Sequence, residues 1–263
     1  MGKRLLRGLL RGMQDFLFPE GEGCCFCGKS MYREGFCLNC WEELSIAKKQ
    51  EFCRICGRIL TKHSLQGCPE CQDSGYEFSF ARGVGEYRGI YRNLLHQYKY
   101  VGKQSLARPM GKLMLDVVLT DRRYEGTEVL VPVPLAPVKL LQRKFNQSQL
   151  LAQELGQALD LPVLAEALQR GRDTLTQAKL SREERRANLE GAFMVQRGMG
   201  HFLQGRKLLL VDDVFTTGST AAEAAKVLLS AGAGEVAVLT WATGLVGGSG
   251  REGRDSRELE ELS

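Results

Sequence analysis

Leu208–Thr220, LLLVDDVFTTGST, passes from four apolar residues to two adjacent carboxylates and then to a hydroxyl-rich turn around one glycine. An uninterrupted apolar run bounded by turn residues reads as a strand buried on both faces. The strand expected here is Leu208 to Val211, so Asp212 and Asp213 emerge at its carboxyl end, where open parallel sheets bind ligands. Thr216, Thr217, Gly218, Ser219 and Thr220 then lead into a helix expected to begin near Ala221. N–H groups at a helix start are unpaired and lie at the positive end of its dipole, so they suit a phosphate. The hydroxyls add donors, and Gly218 permits close approach. Carboxylates beside a phosphate cup make electrostatic sense when they address hydroxyls or a metal ion, which points to a phosphorylated sugar with Mg²⁺.

Apolar strand-like runs alternate with helical periods from Ser74 onward, the order of an α/β domain with a mostly parallel open sheet and flanking helices. FSFARGVGEY reads as a strand, followed by helical patterns in GIYRNLLHQYKYVGK and SLARPMGKLMLDVVL. EVLVPVPLAP is a short strand closed by prolines, NQSQLLAQELGQALD a helix and PVLAEALQR a strand or strand edge. STAAEAAKVLLSAG and EVAVLTWA close the domain as helix and strand.

The chain has 263 residues, enough for one sizeable core and a smaller unit. Its formal charge of +5 permits a phosphate-bearing partner without requiring nucleic acid. No apolar stretch approaches the about 18 to 20 residues that span a bilayer. Residues 1–22 carry leucines near helical spacing with Lys3, Arg4, Arg7 and Arg11 between them, an amphipathic helix too broken for a signal core. Residues 246–263 offer almost nothing to bury and read as a disordered tail.

All nine cysteines precede residue 72. Eight form four C-x-x-C pairs: Cys24 and Cys27, Cys37 and Cys40, Cys53 and Cys56, Cys68 and Cys71. CxxCG occurs twice, ending at Gly28 and Gly57, an internal repeat of about thirty residues. Two such turns close one tetrahedral zinc site without strain, so 23–74 reads as a double zinc ribbon with two structural Zn²⁺ ions. A disulfide framework is the rival. The absence of a secretion signal and the cysteine-free remainder favour a reducing, cytoplasmic setting and hence metal. Consecutive pairs give two ribbons in series and alternating pairs a cross-braced module; the short spacers favour the former. Cys25 stands outside the repeat.

Two surfaces raise the question of single-stranded DNA. Lys29, Arg33, Trp41, Arg54 and Arg58 lie on or between the knuckles, interleaved with Glu34, Glu42, Glu43 and Glu51. In Tyr87–Lys103, four tyrosines alternate with Arg88, Arg92, Lys99 and Lys103, the mixture used for stacking plus phosphate binding. The alternative is an amphipathic helix that buries Tyr91 and Tyr98.

LLLVDDVFTTGST resembles the phosphoribosyl pyrophosphate signature of type I phosphoribosyltransferases. That resemblance implies a domain over 75–245 in which Asp212 and Asp213 contact the ribose 2- and 3-hydroxyls, Thr216 to Thr220 hold the 5-phosphate, and Mg²⁺ accompanies the ligand. It also implies a pyrophosphate loop at VPVPLAP, where the backbone of Val133, Pro134 and Leu135 binds and Lys139, Arg143 and Lys144 neutralise charge. The polar stretch Arg170 to Arg186 corresponds to a closing loop with Arg172, Lys179, Arg182 and Arg185 as phosphate partners. Thr216 stands where 6-oxopurine salvage enzymes carry a carboxylate, which disfavours that acceptor class. Glutamine-dependent amidotransfer has no support, because Cys24 and Cys25 belong to the ribbon.

The cysteine ribbons, VPVPL, RKFNQSQLLA, LQRGRDTLTQAKLSREERRANLEGAF and the final signature together resemble the ComF family of late competence proteins, also described as GntX-like or amidophosphoribosyltransferase-like. Asn146, Gln147, Gln177, Leu180, Arg185, Asn188 and Phe193 match its pattern, and Lys144 replaces the glycine of its RGFNQ motif. The resemblance implies handling of transforming DNA alongside a helicase-like partner. An enzyme with an unknown acceptor and a binding or DNA-handling module both fit.

Overall fold

The computed structural model describes residues 23–47, 50–61, 68–72, 74–171 and 189–246. The N-terminal segment 1–22, the loop cations Arg172, Lys179, Arg182 and Arg185, and 247–263 lie outside them.

Four parallel strands, β1 (Phe80–Glu86), β2 (Val129–Pro132), β5 (Lys207–Phe215) and β6 (Glu235–Thr243), form one sheet in the order β1-β6-β5-β2. A separate antiparallel hairpin joins β3 (Leu168–Arg170) to β4 (Phe193–Val195). The expected strand in PVLAEALQR is therefore two pieces: Val163 bridges to Leu130, and only the last three residues form β3. The central strands are continuous apolar runs because both faces are covered. Leu209, Val211, Ala237, Leu239 and Trp241 pack on one face, and Leu208, Leu210, Val236 and Val238 on the other.

The first face is covered by α3 (Gly89–Lys99), α4 (Ala107–Thr120) and α6 (Gln147–Leu159). In α3 the buried residues are Ile90, Tyr91, Leu94, Leu95 and Tyr98, one helical stripe. Tyr91 and Tyr98 are thus core residues: Tyr91 lies 5.0 Å from the Trp241 ring, and its hydroxyl donates to the Leu44 carbonyl. Neither is a stacking platform for bases. The opposite face is covered by α7 (Gly200–Leu203), through Leu203, by α8 (Ser219–Ser230), through Ala221, Ala224, Ala225 and Leu228, and by the hairpin.

The cysteine region is built into this core. Cys24, Cys37 and Cys40 share the first core with Leu44 of α1 (Leu38–Ala47); Cys53, Cys56 and Cys68, the last just ahead of α2 (Pro69–Gln72), share the second. The two knuckles are the same turn. Gly28 donates to Cys24 O and Cys24 to Lys29 O, as Gly57 donates to Cys53 O and Cys53 to Arg58 O. Bridges Gly23–Ser30 and Phe52–Ile59 repeat at the same offset. Gly57 has φ of 69°, and a Cβ there would sit 2.5 Å from the Ala81 carbonyl, so the second knuckle lies directly on β1. Beyond β6, Ile59 exchanges backbone bonds with Gly244 and Val246, and Val246 is buried.

Candidate functional site

The acid pair sits inside a strand. β5 continues four residues past Val211, because Asp212, Val214 and Phe215 keep their ladder partners Thr240, Ala242 and Thr243 on β6. The expected strand end at Val211 is correct only for the other neighbour, β2, which stops at Pro132 opposite Val211. Asp212 and Asp213 therefore flank a notch where β5 has lost one partner and kept the other. The ladder has no pair at Asp213, and packing reverses there: Val214 joins the face of Val211, and Phe215 that of Leu208 and Leu210.

Both carboxylates have protein partners. Lys99 Nζ lies 2.8 Å from Asp213 Oδ1, with both side chains largely buried. Ser148 Oγ donates to Asp212 Oδ1 at 3.0 Å, and the Asp213 N–H donates to the same oxygen at 2.8 Å. Burial first, and then the Asp213 charge, push the Asp212 carboxyl up to about 7, against the smaller opposing effects of these hydrogen bonds and of Lys99. Ser148 is held in place by Asn146, which caps α6: its Oδ1 accepts from Ser148 N, and its Nδ2 donates to Val133 O at 3.0 Å.

The hydroxyl-rich turn follows at once. α8 begins at Ser219, two residues earlier than expected, because Gly218 with φ of 81° forms its N-cap. Gly218 is also packed tight: a Cβ would approach Phe215 to 2.5 Å and Tyr76 to 2.9 Å. Thr217 Oγ1 and Ser219 Oγ share a 2.9 Å hydrogen bond. Among the described residues nothing accepts from the N–H of Thr217, Gly218 or Thr220. Unpaired donors at the start of a twelve-residue helix have the chemistry of an anion cup.

The proline loop holds one correction. Val133 is buried, and its N–H donates to Val211 O at 2.9 Å as the last bond of the sheet, so it is not an exposed donor. The Leu135 N–H has no acceptor among the described residues. Pro134 and Leu135 are half-buried and lead into α5 (Pro137–Arg143). Burial, followed by the charges of Arg143, Arg170 and Lys99, lowers the pKa of Lys139. Lys144 is exposed and ends α5 at φ of 64°. An open recess of about 530 Å³ lies alongside, lined by Pro134, Glu166, Gln169, Arg170 and Gln196 among others.

The cysteines form two sets, Cys24, Cys27, Cys37, Cys40 and Cys53, Cys56, Cys68, Cys71, with all sulfurs of a set within 4.8 Å of one another. Pairing is consecutive. Zn–S bonds of about 2.3 Å in a tetrahedron require sulfurs about 3.8 Å apart. The observed separations are 3.6 Å for Cys27–Cys37, 3.8 Å for Cys27–Cys40, 3.6 Å for Cys53–Cys71 and 3.7 Å for Cys56–Cys68. All nine thiols are free of disulfides, and the sets fit two closed, structural zinc sites. Cys25 lies outside both sets, and burial raises its thiol to about 12.

A double zinc ribbon domain family matches residues 13–72. The DNA utilization protein YhgH of Escherichia coli O157:H7 is 38% identical over 71% of this chain and 81% of its own. Competence protein F of Haemophilus influenzae is 30% identical over 82% of this chain and 94% of its own. This chain belongs to the ComF family. Competence protein ComFC of Bacillus subtilis is a more distant ComF relative, 24% identical over 76% of this chain. Among solved structures, glutamine phosphoribosylpyrophosphate amidotransferase from B. subtilis, complexed with ADP and GMP, aligns with 64% of this chain and 37% of its own. The identity there is 18% and the TM-score 0.40.

The ComF motif RGFNQ acquires a physical reading here. Its glycine position is left-handed, and this chain holds Lys144 there. A left-handed non-glycine residue costs about 1 to 2 kcal/mol. Lys144→Gly is therefore expected to raise stability by up to about 1 kcal/mol in urea unfolding, once glycine's greater unfolded entropy is subtracted. The asparagine of the motif ties α6 to the end of β2, and the next residue, Gln147, is fully buried. Sequence reasoning missed Lys99, Ser148, Arg58 and Tyr76 as parts of the site. Ser148 alone had a local signal, its place two residues after an N-cap asparagine.

Proposed function

We propose that this ComF protein binds phosphoribosyl pyrophosphate, with Mg²⁺, at the carboxyl edge of the parallel sheet, and that it serves DNA uptake or utilisation through that site and its ribbons. The observation that carries this reading is the juxtaposition of three unlike features within one notch. These are the Asp212–Asp213 pair, the open N–H groups of Thr217, Gly218 and Thr220, and the cations Lys139 and Arg143 on α5, the helix that follows the end of β2. A sugar bearing two hydroxyls, a 5-phosphate and a 1-pyrophosphate presents complementary groups in that order.

In this reading Asp212 and Asp213 accept from the ribose hydroxyls, while the Thr216–Thr220 turn holds the 5-phosphate. Leu135 N–H, Arg143 and Lys139 face the pyrophosphate, and Lys144 stands at the rim. Mg²⁺, when bound with the ligand, neutralises pyrophosphate charge. The chain itself contributes positioning and leaving-group stabilisation. Lys99 holds Asp213 in place, and Ser148 holds Asp212.

A DNA-handling role is supported by the names of the relatives, two of which are competence proteins and one a DNA utilization protein. Its surface is narrower than the sequence suggested. Arg58 is buried against the sheet domain, Arg33 lies over the Trp41 ring at 4.9 Å, and Tyr91 and Tyr98 are core. Tyr100 remains exposed beside Arg143, whose guanidinium lies 5.2 Å from its ring centre. A helicase-like partner is part of the same reading.

Turnover separates an enzyme from a binding module. The zinc-loaded chain is incubated with Mg²⁺, phosphoribosyl pyrophosphate and, in turn, bases, amines and single-stranded DNA, and pyrophosphate release is followed. Release above the buffer rate with one acceptor class identifies a transferase. Binding without release in every case identifies a sensor or DNA-handling module.

A further inference from the structure

The second ribbon reaches the turn at 216–220 directly. Arg58 follows the knuckle Cys53–Gly57, and its side chain is 6% exposed. Its Nε donates to the Thr216 carbonyl at 3.1 Å, and its Nη2 donates to the same oxygen. Glu70, between ligands Cys68 and Cys71, lies 3.4 Å from Nη1 and steadies the guanidinium from the ribbon side. Tyr76, just beyond the ribbon, donates its hydroxyl to the Thr217 carbonyl at 2.7 Å. Its ring stacks on Phe78 and meets Phe215 edge-on, and Gly218 fits against both Tyr76 and Phe215.

The consequence lies in peptide geometry. In a planar trans peptide the C=O and the following N–H point in opposite directions. Holding the Thr216 carbonyl toward Arg58 turns the Thr217 N–H away from the ribbon. Holding the Thr217 carbonyl toward Tyr76 does the same for the Gly218 N–H. These are two of the three donors in the turn that find no acceptor among the described residues. Without the two outside donors, the exposed Thr216 peptide has no bond among the described residues to fix its orientation.

We infer that Arg58 and Tyr76 are positioning residues that set the peptide planes of the phosphate cup, making the second zinc ribbon a determinant of phosphate affinity. This rests on the phosphoribosyl pyrophosphate reading above. The first ribbon, which packs on the opposite face of the sheet, has no such contact with the turn among the described residues.

Two probes divide the site: ribose 5-phosphate, which needs the cup, and inorganic pyrophosphate, which does not. Each is titrated calorimetrically into the full zinc-loaded chain, with zinc content and thermal unfolding measured for every variant. Tyr76→Phe removes one hydroxyl and is expected to weaken ribose 5-phosphate by about 5-fold. Arg58→Gln loses charged donors and is expected to weaken it by about 30-fold, with Arg58→Lys intermediate. Pyrophosphate affinity stays within about 2-fold of wild type in all three, since the cup does not touch it. Equal losses for both probes reduce Arg58 and Tyr76 to structural residues and overturn the inference. Unchanged affinities in folded variants also overturn it and leave the ligand reading standing. A wild-type protein that binds neither probe removes the ligand reading itself.

Discussion

Stripping zinc with a strong chelator is expected to unfold the parallel sheet together with the ribbons, in one transition. A closed four-cysteine zinc site contributes about 10 to 16 kcal/mol to the fold that holds it. The whole stability of a domain is about 5 to 15 kcal/mol, so neither core tolerates losing its metal. The coupling is physical. Cys24, Cys37 and Cys40 are packed with Leu44, whose carbonyl holds the Tyr91 hydroxyl, and Trp241 Nε1 donates to the Tyr91 carbonyl. On the other face Gly57 lies on β1, and Ile59 is bonded to 244–246 beyond β6. The check is elemental analysis, expected at two zincs per chain, followed by thermal unfolding with and without chelator. Fluorescence of Trp241, fully buried in the sheet, reports the transition in a Trp41→Phe background, since Trp41 belongs to the first ribbon. Zinc release with an unchanged sheet transition would show the ribbons to be independent appendages.

Asp212→Asn is expected to weaken phosphoribosyl pyrophosphate by about 10- to 100-fold, the loss of a hydrogen bond to a charged acceptor, while leaving the fold intact. Asparagine keeps an Oδ1 that accepts from both Ser148 and the Asp213 N–H. The two acids are not equivalent in this respect. Asp213→Ala strands the buried Lys99 ammonium and is expected to cost about 3 to 5 kcal/mol of stability, so its effect on binding cannot be separated from folding.

The pH dependence gives the sign. Asp212 is raised from 3.8 to about 7, so the folded chain binds the extra proton between those values. Its contribution therefore lowers stability as pH rises from about 4 to about 7, and Asp212→Asn abolishes that slope. Ligand affinity runs the other way: the ionised carboxylate accepts from the diol, so affinity increases as pH rises through about 7 in wild type and is flat there in Asp212→Asn. Thermal unfolding between pH 4 and 7 measures the first, and calorimetric titrations between pH 6 and 8, controlled for the ligand's own ionisation with the variant, measure the second.

Much of this arrangement was legible in residue order. LLLV reads as a buried strand and EVAVLTWA as the closing strand, and they are the two central strands. The spacing of CxxCG predicted repeated knuckles, which share their hydrogen bonds residue for residue. Two adjacent acids read as the stop of a strand, whereas Val214 and Phe215 resume the apolar pattern of β5 and find partners in Ala242 and Thr243. Val133 was misread for a related reason: between two prolines, its N–H is the donor left to close the ladder on Val211. The support of the site was illegible because it comes from far along the chain. Lys99 reaches Asp213 across 114 residues, and Arg58 reaches Thr216 across 158. Nothing local distinguishes Lys99 from the other cations of its helix.

One ligand decides what the notch binds. Phosphoribosyl pyrophosphate is titrated with Mg²⁺ into the zinc-loaded chain at pH 8, alone and then in the presence of ribose 5-phosphate or pyrophosphate. The expected result is one site per chain, displaced by either competitor, since each occupies part of the same notch. Absence of binding, or binding that neither competitor displaces and Asp212→Asn does not weaken, would contradict the assignment of this notch.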